Sequence, residues 1–263
     1  MADEVILRVK DAAFAYGKKN VWENINLEVK RGECLSILGA NGCGKTTLLN
    51  CISGTHTLKS GLIELDGKPV ADYSVRERAK KIGYVFQEHK TPFPYSSIEI
   101  VRMGRTPYMS TFGSPDSADT EMAYEIMENL GIAHLADKSY TQISGGERQL
   151  VLIARTLCQQ PDILILDEPT SHLDFKNQAK VIKTIKGLSE SGMTILMTSH
   201  FPNHVWYVNG RVVMMGDGGV ISDGPVEDVM TEENLSKTYG LDVTIFEGVS
   251  GNQSTKFCNP NLD

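Results

Sequence analysis

Gly39-Ala40-Asn41-Gly42-Cys43-Gly44-Lys45-Thr46 is the stretch that decides the fold. It fits the pattern G-x-x-x-x-G-K-[ST], and its flanks are those the pattern needs. A short apolar run over 34–38, of the buried-strand kind, precedes it, and Thr47-Leu48-Leu49-Asn50-Cys51-Ile52 follows as a helix that Gly54 stops. Glycines in such a loop let successive backbone N–H groups converge on phosphate oxygens, and the start of the helix adds a favourable dipole. The expected ligand contacts run from Gly39, Ala40, Asn41, Gly42, Cys43 and Gly44 to Lys45, Thr46 and Thr47. Lys45 would neutralise the β- and γ-phosphates of a nucleoside triphosphate, and the Thr46 hydroxyl would sit on Mg²⁺. Cys43 adds a hypothesis: alkylating its thiol blocks the loop sterically. Normal nucleotide binding by protein alkylated at Cys43 alone would overturn it.

A second constellation is Ile163-Leu164-Ile165-Leu166-Asp167-Glu168. A buried apolar strand ending in two carboxylates delivers charge to a sheet edge, where α/β folds bind ligands. Asp167 is expected to hold Mg²⁺ through water, and Glu168 to act as general base on the attacking water. The third is Ser144-Gly145-Gly146-Glu147-Arg148-Gln149. Ser144 and Glu147 have capping-box spacing, which would start a helix running through Leu150, Ile153 and Leu157. The two glycines behind the cap would also leave N–H groups bare for an anion. The residues alone leave both roles open.

Strand-like alternation at Ile6-Leu7-Arg8-Val9 and Ile25-Asn26-Leu27-Glu28-Val29 opens the chain. A hairpin is expected over 61–70, a capped helix at Ser74-x-x-Glu77, and a strand over 82–86 that ends on Gln87. Residues 91–160 read as mostly helical, with Ser96-x-x-Glu99 as another cap and Met122, Ile126, Met127 and Leu130 on one helix face. Strand patterns return at 163–166, 194–197 and 211–215, with a helix over 175–188 between the first two. The expected class is therefore α/β. Its core comprises 1–90 and 161–250, an N-terminal antiparallel β part is included in it, and 91–160 form an inserted helical subdomain. Residues 251–263 are polar and read as a loose tail.

The chain has 263 residues, 41% hydrophobic and 22% charged, enough for a sizeable core. Lys plus Arg number 26 against 33 Asp plus Glu, a net charge of -7 that argues against a broad nucleic-acid-binding face. Five cysteines without C-x-x-C spacing argue against structural zinc and a disulfide framework. No window approaches the roughly 20 apolar residues of a membrane span, and the acidic start Met1-Ala2-Asp3-Glu4 is unlike a signal peptide. A cytoplasmic protein is expected.

The order phosphate loop, Gln87, Ser144-Gly145-Gly146, Asp167-Glu168, His200 resembles the ATP-binding cassette (ABC) ATPases, over nearly the whole chain up to about Gly248. The resemblance implies a P-loop NTPase fold, ATP hydrolysis with Mg²⁺, and further roles. Tyr16 matches the aromatic residue that stacks on adenine. Gln87 matches the sensor of Mg²⁺ and γ-phosphate, Ser171-His172-Leu173-Asp174 the loop that crosses the dimer, and His200 the switch histidine on the γ-phosphate. It also implies two copies sandwiching two ATPs, each held by the loop of one copy and the Ser-Gly-Gly of the other. Departures are Glu147 where Gln is commonest, Ile143 where Leu is, and His172 where a small Ala is usual.

The segment Met103-Gly104-Arg105-Thr106-Pro107-Tyr108 resembles ATPases of the iron-siderophore, haem and cobalamin importers, a group with relatives linked to molybdate or tungstate. That implies a motor subunit on the cytoplasmic face of a membrane, partnered by polytopic permease subunits and indirectly by a solute-binding protein. Two alternatives are a soluble ABC ATPase of iron–sulfur cluster assembly and an ABC ATPase acting on nucleic acid. The net charge and the single cassette disfavour the latter.

Overall fold

The computed structural model describes residues 4–87, 93–110, 113–250 and 253–261, grouped in two compact units: 1–72 with 188–263, and 73–187. The first three residues, and position 91 where the helical subdomain is expected to begin, lie outside the described residues.

The first unit opens with β1 (Val5–Tyr16) and β2 (Lys19–Lys30), paired antiparallel so that Phe14 faces Trp22. β3 (Cys34–Gly39) is buried along its whole length, Ser36 included, as its mostly apolar sequence favours. The phosphate loop and α1 (Lys45–Ile52) follow, then β4 (Ser60–Leu65) and the short β5 (Lys68–Pro69). These make a four-stranded antiparallel sheet in the order β2-β1-β4-β5. Alternation of buried Trp22, Ile25, Leu27 and Val29 along β2 marks its one covered face.

The second unit comprises α2 (Val75–Lys81), β6 (Ile82–Val85), α3 (Ser97–Arg102), α4 (Ser117–Asn129), α5 (Gly145–Cys158), β7 (Ile163–Leu166) and most of α6 (Phe175–Glu190). Capping boxes open α2, α3, α4 and α5, each with an acid three residues after the cap. Ala123 and Met127 carry the buried face of α4. β6 and β7 pair in parallel, from Ile82 opposite Ile163 to Val85 opposite Leu166.

The chain returns to the first unit with β8 (Thr194–Ser199), α7 (Pro202–Val208), β9 (Arg211–Gly216), β10 (Gly219–Pro225), α8 (Val226–Val229) and α9 (Glu232–Tyr239). There β3 lies between parallel β8 and β9, with β10 antiparallel outside β9. The last two strands are β11 (Val243–Ser250) and β12 (Gln253–Pro260). They correct the expectation of a loose tail. Cys258 is buried with Val243 in a cluster that includes Leu38, Met214, Val229 and Leu235. The Asn203 side chain straps β12 down, accepting from the Cys258 N–H (2.8 Å) and donating to its carbonyl (3.3 Å). Cys258 is buried between exposed Phe257 and Asn259, so one thiol and not an apolar run carries the packing, which a count of polar residues misses. Among the described residues no helix is long and apolar enough to cross a membrane.

Candidate functional site

The phosphate loop is shaped by its glycines. A Cβ on Gly39 would lie 2.5 Å from the Met215 carbonyl oxygen. Gly42 and Gly44 have φ of +84° and +98°, a region L side chains rarely enter. Gly44 is doubly fixed, since a Cβ there would lie 2.6 Å from Cδ1 of the fully buried Trp22 and 2.7 Å from Val21 Cγ1. The indole Nε1–H of Trp22 donates to the Gly44 carbonyl at 3.3 Å. Trp22 thus sets the loop from β2, a role invisible in the motif.

Lys45 is 5% exposed, and its Nζ donates to the carbonyls of Gly39 (2.9 Å) and Ala40 (3.1 Å). The ammonium is therefore held by the loop's own carbonyls. α1 differs from the capped helices of the second unit: its N-cap is Gly44, no side chain caps it, and no acid sits in its first turn. A helix start with no side-chain cap, the helix dipole and a buried cation form a cradle for a polyphosphate. Thr46 is exposed at its rim, whereas Thr47 turns inward and is buried. Cys43 is also buried, and desolvation raises its thiol pKa, so the thiolate that alkylation requires is disfavoured. All five cysteines are free and buried.

In the second unit, β7 delivers Asp167 and Glu168 beyond its last residue. Asp167 is 2% exposed; its N–H donates to the Val85 carbonyl (3.0 Å), and Oδ2 accepts from the Tyr84 hydroxyl (3.4 Å). Burial, then the Asp167 charge, push the Tyr84 pKa upward, so this hydroxyl stays a donor. The Val85–Leu166 pairing puts Gln87 and Glu168 each two residues past it, and Gln87 Nε2 donates to Glu168 Oε2 at 3.0 Å. Ser171 Oγ donates to the same oxygen at 2.8 Å. The Glu168 backbone is left-handed (φ +45°), an arrangement that costs a non-glycine residue about 1–2 kcal/mol.

Ser144 caps α5 as its spacing predicts. The Glu147 N–H donates to Ser144 Oγ (3.3 Å), and the Ser144 N–H donates to Glu147 Oε2 (2.8 Å). Bonds from the Ser144 backbone and then its hydroxyl hold the Glu147 carboxyl below the usual carboxylate range. A Cβ on Gly146 would overlap the Asn177 side chain, and one on Gly145 would lie 3.3 Å from Leu173 Cδ2. Asn177 in turn bonds Asp174: its N–H donates to Oδ1 (2.8 Å) and Nδ2 to Oδ2 (2.9 Å). The two motifs are thus one packed assembly, Ser-Gly-Gly lying against the first turn of α6. Phe175, beside Asp174, is 88% exposed.

Tyr16 ends β1 with 56% of its surface exposed, in the same unit as the phosphate loop. His200, also in that unit, follows β8 half-buried; its ring lies 4.0 Å from that of Phe201, and its carbonyl accepts from the Tyr239 hydroxyl at 3.2 Å. The segment 103–108 is a 3-10 helix built as a staple. Arg105 bonds Asp119 (2.9 Å) and the Cys158 carbonyl (3.2 Å), and its guanidinium lies 4.0 Å from the Tyr108 ring centroid. The Tyr108 hydroxyl donates to the Gln159 carbonyl at 3.1 Å. Among the described residues no three His, Cys, Asp or Glu gather to hold a metal by themselves.

The chain has many relatives among known proteins. Residues 22–171 match the family model for the ABC transporter. The ferric enterobactin transport ATP-binding protein FepC of Escherichia coli is 34% identical over 92% of this chain and 89% of its own. The molybdate import ATP-binding protein MolC of Haemophilus influenzae is 35% identical over 89% of this chain and 88% of its own. Among solved structures, a metal-chelate type ABC transporter in an inward-facing conformation is similar at TM-score 0.88 and 32% identity, covering 98% of each chain. A dimeric ATP-binding cassette with ADP and Pi is similar at TM-score 0.71 and 28% identity, over 84% of this chain and 99% of that one. The chain belongs to the ABC transporter family, as one of its ATP-binding and ATP-hydrolysing subunits.

Proposed function

We propose that this chain is the motor of a metal-chelate importer, working as a pair of copies on the cytoplasmic side of polytopic permease subunits, with a solute-binding protein delivering the cargo. The observation that carries the reading is the end-to-end likeness to a metal-chelate type transporter, covering 98% of both chains. The molybdate relative keeps an oxyanion as the second substrate class. The iron–sulfur assembly alternative finds no support among these transporter relatives.

In this reading Tyr16 stacks on the adenine. The N–H groups of 39–47 and Lys45 Nζ bind the phosphates, Lys45 exchanging the Gly39 and Ala40 carbonyls for phosphate oxygens. Thr46, Gln87 and Asp167 would hold Mg²⁺, which would neutralise charge on the phosphates. Glu168 takes a proton from water as its oxygen attacks the γ-phosphorus and the bond to the ADP oxygen breaks; His200 contacts the γ-phosphate. Gln87 and Ser171 both donate to Glu168 Oε2, which holds the carboxylate in one orientation for taking the proton. Ser144, Gly145, Gly146 and Glu147 face the nucleotide of the other copy, and Asp174 crosses between copies. Charge that both copies bind closes the pair, and hydrolysis releases it.

The test is purification after co-expression with candidate permeases. The account expects a stable complex with a polytopic membrane protein that accumulates a metal chelate in vesicles only with ATP. Association with soluble partners alone, or uptake indifferent to ATP, would overturn it.

A further inference from the structure

The site motifs leave one aromatic group unused. Phe14 and Tyr16, two apart on β1, project on the same side of the strand. Phe14 is buried; it lies 5.9 Å from Trp22, and Tyr16 meets it edge-on at 4.9 Å and 82°. Onto this pair comes His56 from beyond the end of α1. Its ring stacks on Phe14 (5.5 Å, 12°) and lies edge-on to Tyr16 (6.0 Å, 86°), and its Nε2 shares a hydrogen bond with the Tyr16 hydroxyl at 3.3 Å. The His56 backbone is fixed too, its N–H donating to the Asn50 carbonyl of α1 at 3.0 Å.

We infer that His56 is a positioning residue for the nucleotide base: it holds the exposed Tyr16 ring in one orientation and ties it to the helix that begins at Lys45. The inference rests on the reading of Tyr16 as the base platform. An exposed tyrosine that rotates freely must be ordered when a base stacks on it, which weakens binding. Here that ordering is built in before nucleotide arrives, by Phe14 on one edge and by His56 on the hydroxyl. α1 thereby joins both ends of the nucleotide, with Lys45 at its first residue and His56 four residues beyond its last, Ile52. Phe14 and Trp22 continue the connection to the Gly44 carbonyl, so the base platform and the phosphate loop share one aromatic scaffold within a single unit. His56 touches neither phosphate nor the reacting atoms in this reading, so its effect falls on affinity and spares the chemical step.

Five variants test this, with ATP Kd measured by calorimetry and kcat and KM by phosphate release. His56→Ala is expected to weaken ATP binding about three- to fivefold, the size of one partly exposed hydrogen bond, with kcat at saturating ATP unchanged. Tyr16→Phe keeps the ring and loses the hydroxyl, so it should show the same loss. The double variant Tyr16→Phe/His56→Ala should be no weaker than either single one, because both remove the same bond. His56→Gln, whose amide can still reach the hydroxyl, should recover part of the loss. Unchanged affinity in His56→Ala, or losses that add in the double variant, would overturn the role of His56. Tyr16→Ala separates the two layers. If it leaves ATP affinity intact, the base-platform reading falls and the inference with it; if it weakens ATP while His56→Ala does not, only the inference falls.

Discussion

Gly44→Ala is the perturbation with the most legible cost in this structure. Two separate penalties meet at the position. The backbone is left-handed at φ +98°, which costs an alanine about 1–2 kcal/mol. The new methyl would also stand 2.6 Å from Trp22 Cδ1 and 2.7 Å from Val21 Cγ1, and overpacking of that kind costs about 1–3 kcal/mol. Trp22 is fully buried and cannot retreat without releasing its bond to the Gly44 carbonyl, a further 0.5–1.5 kcal/mol or about that. Gly42→Ala supplies the control, because Gly42 shares the left-handed backbone (φ +84°) but has no atom within 4 Å of its Cβ position. Unfolding of both variants by urea, followed by tryptophan fluorescence, should therefore place Gly44→Ala below Gly42→Ala by about 2–4 kcal/mol, the clash and the lost bond without the shared strain. In a domain of this size that corresponds to a midpoint lower by roughly 2–4 °C for each kcal/mol. Equal destabilisation of the two variants, within about 0.5 kcal/mol, would refute the reasoning, because it would mean that Trp22 does not brace the phosphate loop.

Glu147→Gln separates two effects of one charge. The carboxylate favours the start of α5, so its loss should cost up to about 0.5 kcal/mol of stability, while ATP-driven pairing of two copies should tighten by up to about tenfold as a negative charge leaves the phosphate-facing surface. Since the folded-state pKa of Glu147 is depressed, its contribution is present above its ordinary value of 4.5 and lost as pH falls below it; the variant should lack this part of the acid dependence. Gly146→Ala should cost about 1–3 kcal/mol by displacing Asn177 from Asp174, and adding Asn177→Ala should recover part of that loss in urea unfolding; strictly additive costs would show that the two side chains do not collide. Removing residues 251–263 should lower the thermal midpoint by several degrees, because Cys258 and its two bonds to Asn203 leave the core around Leu38 and Met214; an unchanged midpoint would restore the idea of a dispensable tail.

The phosphate loop was legible because its constraints are local: glycines where φ is positive, a lysine to fill the loop, and a strand and helix on either side. Capping boxes at Ser74, Ser96 and Ser144 were legible for the same reason, since cap and acid are three residues apart. What the chain does not announce are contacts set by tertiary register. Gln87 meets Glu168, and Tyr84 reaches Asp167 across 83 residues, because β6 and β7 pair in parallel; Trp22 braces Gly44 across 22. No spacing rule links residues 40 apart, so His56 beside Tyr16 had no signal either. The terminal hairpin was missed because its packing rests on only Val243 and Cys258 with partly buried Ile245, while apolar Phe246, Val249 and Phe257 stay exposed, so no regular apolar pattern marks it. The Met103-Gly104-Arg105-Thr106-Pro107-Tyr108 pattern pointed to import, yet its structural content is a staple: Arg105 and Tyr108 bind α4 and the end of α5, and Gly104 admits the Arg155 carbonyl.

The central claim is that two copies of this chain close on ATP and that Glu168 then removes the proton from water. Glu168→Gln tests both parts in one preparation, by light scattering on a sizing column with and without Mg-ATP, alongside phosphate release. The account predicts near-normal ATP affinity, turnover lower by about 10²–10⁴-fold, and a stable dimer that appears only with Mg-ATP and is abolished by adding Ser144→Arg. Undiminished turnover, or a variant that binds ATP and remains a monomer, would contradict it.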